Sequence, residues 1–238
     1  MSFWLPDDHL VVQSDINKRL QNGLAGHWTF DRNTISGTNV RDISRNGNTG
    51  TLVNGPTATM GRIRQALSFN GTNQYVVVPS SSSLDMSGGQ MTISMWVKLA
   101  SSQANWAGVI AKGTTNNDWA LQRNSGLNIL RFFTSSAYVD FKSGSWSAIT
   151  DNMWHFLTVA LSHSDSQQYM YLDSVLYDTK VNTNLPTQTS SYTLHIGSSR
   201  DPVPIKGFLD DVRIYNRVLD IAEIKALYYQ SFNLYGRM

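Results

Sequence analysis

The stretch MTISMWVKL, residues Met91 to Leu99, alternates strictly, with Met91, Ile93, Met95 and Val97 on one side and Thr92, Ser94, Trp96 and Lys98 on the other. A period of two marks an extended strand, whose successive side chains point to opposite faces of a sheet. The apolar face is core. Such a strand needs partners, and the question becomes whether the rest of the chain supplies them.

It does. Gln74 to Pro79 (QYVVVP), Trp154 to Leu161 (WHFLTVAL) and Tyr192 to Ile196 (YTLHI) read the same way, and short segments separated by Gly, Asn, Ser and Asp clusters recur from Gly23 to about Gly207. Regularly spaced short strands indicate an all-β sandwich. Tyr169 to Asp173 and Val175 to Tyr177 read as a hairpin turning at Asp173-Ser174, without the glycine that most easily supplies positive φ. Asn46-Gly47-Asn48 and Asn70-Gly71 are turn chemistry. One helix is predicted, from Ile221 to about Tyr229. Asp220 is its N-cap, Glu223 completes a capping box, and Leu219 with Ile224 forms a hydrophobic staple.

Bulk properties agree. Aromatic residues make up 11% and charged residues 15% of the 238, with 17 Gly, a balance that suits strands and turns. A chain of this length buries roughly 70–75% of its unfolded surface and needs no covalent staples. The absence of cysteine excludes disulfides, thiolate nucleophiles and Cys-zinc sites. The net charge of +2 comes from 19 basic and 17 acidic residues with no basic run, so nucleic acid is not an expected partner. No apolar run approaches the roughly 20 residues of a membrane span. At the start, Asp7, Asp8 and His9 interrupt the hydrophobic residues, which argues against an export signal.

Several ordered stretches resemble the laminin-G-like jelly-roll family, also described as the concanavalin A-like lectin/glucanase superfamily. They are GLAGHWTFD (Gly23 to Asp31), DISRNGNTGTLVNGP (Asp42 to Pro56), ALSFNGTNQYVVVP (Ala66 to Pro79), MTISMWVK, WHFLTVAL, YMYLDSVLY (Tyr169 to Tyr177), and LHIGSS followed by KGFLDDVRIYNRVLDIAEIKALY, ending at Tyr228. The resemblance implies a two-sheet antiparallel jelly-roll sandwich whose first and last strands pair, with one short C-terminal helix. The domain is expected over residues 23–229, flanked by an N-terminal arm, 1–22, and a C-terminal tail, 230–238. Family members include carbohydrate-binding modules, adhesion domains, enzyme accessory domains and virion components, so fold alone does not deliver function.

For glycoside hydrolysis two carboxyl groups must flank the scissile bond. Asp210 and Asp211 are adjacent, and on a regular strand they point to opposite faces, so no catalytic residues are assigned. His9, His27, His155, His163 and His195 show no metal-ligand spacing. The resemblance makes Asp31, Asp210 and Asp211 the positions for a Ca²⁺ ion, with Asn70 or Asp42 weaker. The opposing reading has these acids serving turn amides or pairing with Arg213 and Arg217. Sugar binding requires exposed aromatic rings beside hydrogen-bonding side chains. Trp96 and Tyr171 are placed on the open side of a sheet, and Trp106 and Trp119 lie in or beside the polar stretch Ala100 to Asp118. Asn70-Gly71-Thr72 matches a glycosylation acceptor but reads as a turn.

The expected function is a non-catalytic binding or structural module displayed on a larger assembly, such as a virus or phage particle, made in the cytosol and recognising cell-surface glycans. Phe3, Trp4, Leu5, Phe232 and Tyr235 are the expected contacts with other subunits. A free carbohydrate-binding lectin dependent on Ca²⁺ and a glycoside hydrolase are the alternatives.

Overall fold

The computed structural model describes residues 15–86, 88–113, 119–125, 127–134, 137–181, 191–199 and 202–233. Two antiparallel sheets face each other. The first runs β15 (Val175–Val181), β14 (Gln167–Leu172), β13 (His155–Ser162), β8 (Gln90–Leu99), β17 (Lys206–Tyr215), β6 (Gln65–Asn70), β5 (Thr57–Met60). The first strand, β1 (Leu24–Trp28), pairs with β17, so the ends of the domain meet as the resemblance implied. The second sheet runs β12 (Ala137–Asp140), β11 (Leu130–Thr134), β10 (Trp119–Arg123), β9 (Gly108–Lys112), β16 (Leu194–Ile196), β7 (Tyr75–Val78), β4 (Gly50–Val53), β3 (Asn39–Val40), β2 (Ile35–Ser36).

Alternation decides what lies between the sheets. Met91, Ile93, Met95, Val97 and Leu99 of β8 and Leu157, Val159 and Leu161 of β13 enter the main core, where they meet Leu121 and Phe132 of the second sheet. The hairpin at Asp173-Ser174 forms without glycine. Both residues have positive φ, 51° and 64°, as a two-residue type I′ turn requires. Asp173 offsets that strain with its carboxylate, which accepts from the Phe156 N–H at 2.8 Å and meets His155 Nδ1 at 2.9 Å.

The C-terminal helix extends over Ile221–Asn233, about one turn beyond its expected end. Its capping box is reciprocal: Asp220 N–H donates to Glu223 Oε2 at 3.0 Å and Glu223 N–H donates to Asp220 Oδ1 at 2.9 Å. The helix lies on the outer face of the first sheet, where Leu219, Ile224 and Leu227 join Trp96, Phe156 and Tyr215 in a second core. Residues 15–22 belong to the same layer. Residues 15–19 are helical, Leu20 is buried in the second core, and Arg19 pairs with Asp220. Arg217 reaches Glu223 with two hydrogen bonds of 2.8 Å and donates to the carbonyls of Arg19 and Asn22. Residues 15–22 of the expected N-terminal arm thus pack against the helix and the sheet. Phe3, Trp4, Leu5 and Tyr235 lie outside the described residues, as does the side chain of Phe232.

Candidate functional site

Three groups of residues were expected to carry function, and the fold treats them differently. The acidic group sits where β17 changes partner. Its residues Lys206 to Leu209 pair with β6 and Val212 to Tyr215 pair with β1, while a bulge falls between them with Asp211 at φ 51°. Leu209 and Val212 both point into the main core. The expectation that Asp210 and Asp211 face opposite sides is thus overturned: a bulge puts two residues opposite one, and both aspartates sit on the outer side.

Each is occupied there. Asp210 Oδ2 accepts from the Ile63 N–H at 2.6 Å, while Oδ1 is buried with no partner among the described residues. Burial, together with the neighbouring charges of Asp211 and Asp31, pushes this carboxyl up to about 8. Burial would raise Asp211 too, but Arg213 and His27 outweigh it and hold that group at about 2. His27 Nε2 lies 2.6 Å from Asp211 and 3.0 Å from Arg213 Nε. One ring nitrogen cannot donate to the first and accept from the second. The shorter contact assigns the proton to Nε2, and Arg213 reaches the carboxylate through Nη2 at 3.0 Å. Burial and Arg213 lower the His27 pKa, which keeps the ring neutral.

The remaining acids are similarly engaged. Asp31 Oδ1 accepts from the Gln65 N–H at 3.2 Å, with Arg64 3.8 Å from Oδ2. Asp42 accepts the N–H groups of His27, Ser44 and Asn48 at 2.8–2.9 Å and the Ser44 hydroxyl. Asn70 Oδ1 accepts from Thr72 and Asn73 as a turn residue. A hard cation requires six to eight converging oxygens. Among the described residues no group of three or more His, Asp or Glu side chains converges, and Asp31, Asp42 and Asp211 each already serve N–H groups or cationic side chains.

The aromatic candidates separate by exposure. Trp96 is on the outer face as expected but is not open. It is 1% exposed, stacked on Tyr228 of the helix with centroids 5.5 Å apart. Trp119 is 1% exposed in the main core against Phe132. Tyr171 is half-buried at the edge of the second core, 6.4 Å from Tyr169. Trp106 differs: it is 40% exposed and its backbone is left-handed, φ 65°. Among the described residues Phe30 is the other aromatic residue with positive φ, and it is fully buried. Burial offsets the strain at Phe30, whereas Trp106 keeps 40% of its surface exposed.

A row of polar side chains reaches the exposed ring through Arg131. On the outer face of the second sheet Gln122, Arg131 and Asp140 form one row across β10, β11 and β12. Arg131 clasps Asp140 with bonds of 2.6 and 2.9 Å, and Asn124 Nδ2 donates to the same carboxylate at 2.9 Å. The Arg131 guanidinium lies 5.8 Å from the Trp106 ring centroid. Arg123 Nη1 donates to the Gln103 carbonyl at 2.9 Å, which ties the Trp106 loop to β10. The alternation of Arg131 with Leu130 and Phe132 was a usable signal for this row. The pairing with Asp140, nine residues on, required the register of the hairpin.

Comparison with known proteins places this architecture. The chain aligns with the binding domain of Paraclostridial Mosquitocidal Protein 1 at a TM-score of 0.70 and 18% identity, covering 90% of this chain and 53% of that one. The binding domain of Botulinum Neurotoxin DC in complex with SialylT gives 0.64 and 18%, covering 89% and 52%. Domain 4 of AbnA, an extracellular arabinanase from Geobacillus stearothermophilus, in complex with arabinotriose, gives 0.65 and 20%, covering 86% and 98%. The chain therefore spans about half the length of the toxin binding domains and nearly all of the arabinanase domain. At these identities the likeness is one of fold. No curated protein matches the chain. Residues 70–225 match the concanavalin A-like lectin/glucanases superfamily, and the chain belongs to that superfamily.

Proposed function

We propose that the chain is a non-catalytic saccharide-binding module in which a sugar ring stacks on Trp106 and its hydroxyls bond to Arg131, Asp140 and Asn124. The observation that carries this reading is the strained, exposed Trp106. A non-glycine residue in the left-handed region costs about 1–3 kcal/mol and persists where the surroundings enforce it, often at ligand sites. An indole offers a flat apolar face to a pyranose, and a fixed Arg–Asp–Asn group supplies donors and acceptors at its edge. The arabinotriose complex of the arabinanase domain and the SialylT complex of the toxin domain show that proteins of this fold are found with saccharide ligands.

The non-catalytic part rests on the acidic pair. Two carboxyls held at about 8 and about 2 have the divergent pKa values of an acid and a base. Yet Asp210 is 0% and Asp211 4% exposed, and the latter is neutralised by Arg213, so a substrate has no path to them. A glycan array with the wild-type protein and Trp106→Ala tests binding: signal on saccharides that is lost in the variant supports the reading. Turnover of a β-glucan panel, abolished by Asp210→Asn, would replace it with a hydrolase.

Display on a larger assembly is proposed with it, on the apolar residues Phe3, Trp4 and Leu5 of the N-terminal segment. Deletion of residues 1–14 should release the protein from its native particle; unchanged co-sedimentation counts against that segment as the docking device.

A further inference from the structure

The outer face of the first sheet holds a second aromatic surface, beyond the reach of the C-terminal helix. Phe208 of β17 pairs directly with Lys98 of β8 on one side and with Ser68 of β6 on the other. Trp154, immediately before β13, stands beside Phe208 with ring centroids 6.3 Å apart and planes inclined at 48°. Thr59, Met60 and Gly61 close the far side, enclosing a groove of about 320 Å³ with Lys98, Trp154 and Phe208. Met60 projects from this rim with 84% exposure.

The charge in this groove is unbalanced. Lys98 Nζ lies 5.9 Å from the centre of the Phe208 ring, and among the described residues no carboxylate pairs with it. Lys206 lies two residues before Phe208 on the same strand and therefore on the same face, and it too has no ion pair there. The acids of this region are spent elsewhere. Asp210 is buried, and Asp151 is held by His155 at 3.1 Å. The ammonium of a half-buried lysine, without a counter-ion among the described residues and beside a ring that itself packs against Trp154, is a seat for an anion attached to a flat, partly apolar body.

We propose that this groove is a second ligand site, on the sheet opposite Trp106, which takes a sugar ring bearing a carboxylate: the ring lies against Trp154 and Phe208, and the carboxylate bonds to Lys98. The proposal rests on the reading of the chain as a saccharide-binding module but uses none of the residues around Trp106. A carboxylate on an ammonium gives a charge-assisted bond, stronger than the bond of a neutral hydroxyl. Such contacts between exposed groups weaken as salt screens them.

Calorimetric titration of the full chain with a short oligogalacturonate, and with the matching neutral galactose oligomer, tests this. The acidic oligomer should bind at least tenfold more tightly, with the preference shrinking as salt is raised. Lys98→Gln keeps the aliphatic packing and should remove the preference; Lys98→Arg should retain it. In the Trp106→Ala background, where the first site is disabled, the acidic preference should remain and should still be removed by Lys98→Gln, which separates failure of this site from failure of the Trp106 site. Equal binding of the two oligomers, or an unchanged preference in Lys98→Gln, would overturn the proposal.

Discussion

The guanidinium of Arg131 lies 5.8 Å from the ring centroid of Trp106, held in place by both oxygens of Asp140. The ring and its polar edge are thus fixed before any ligand arrives, and fixing them in advance reduces the ordering cost of binding.

Trp106 therefore separates stability from function. Replacement by glycine relieves left-handed strain of about 1–2 kcal/mol, offset by about 0.5–1 kcal/mol of added unfolded-state entropy. Trp106→Gly should leave the urea midpoint unchanged or slightly raised. Saccharide affinity should fall at least tenfold, about 1.4 kcal/mol. A variant that loses stability and binding together would make the residue structural.

Trp96 makes the opposite prediction. It supports the C-terminal helix through Tyr228 and Phe156 and touches no open surface. Trp96→Ala should cost about 3–5 kcal/mol in denaturant unfolding. Trp96→Phe, which keeps most of the packing, should bind saccharide as the wild type does.

The contrast between these two tryptophans shows what was legible in the sequence. Alternation in Met91 to Leu99 correctly assigned the core face and put Trp96 on the other. It carried no information about what would lie over that face, and the helix that covers it is more than a hundred residues away. The capping box was legible because it is local. The acidic bulge was not, since a period-two reading assumes a regular strand and Asp211 departs from one. Trp106 sits in a segment without periodicity, where only its type marked it. The Arg131–Asp140 clasp depends on strand register, which a single sequence leaves open.

Two buried or clasped groups set a pH dependence. Asp210 titrates at about 8 in the fold, above its unfolded value near 4, so the folded protein holds an extra proton between them. Its contribution is full below about pH 4 and is lost as pH rises through 8. His155, raised to about 9 by its hydrogen bonds to Asp173 and Asp151, contributes fully below about 6.5 and loses that contribution as pH rises through 9. The stability these two groups supply should therefore decline from about pH 4 through 8 for Asp210 and from about 6.5 through 9 for His155, and together most steeply between about 6.5 and 8. In chemical denaturation at successive pH values, Asp210→Asn should remove the part of the decline that ends near 8, and His155→Gln the part that extends to 9. A wild-type profile that rises over this range would contradict both assignments.

Gly108 begins β9 where the chain passes close to Ser199. A Cβ there would lie 1.9 Å from the Ser199 nitrogen and 2.3 Å from the Ser198 carbonyl carbon. Backbone cannot give way as a side chain can, so Gly108→Ala should destabilise by about 2–3 kcal/mol or more. Thermal unfolding checks this, and a melting temperature within a degree of wild type would show that the strands part easily.

The most direct test of the central claim follows the seven tryptophan indoles individually. In a nitrogen-15 NMR titration with a neutral oligosaccharide that scores on the glycan array, the Trp106 indole resonance should shift in a saturable manner, together with the Arg131 side-chain signal, while those of Trp96 and Trp119 stay in place. A saturable shift at other indoles with Trp106 unmoved would contradict the account.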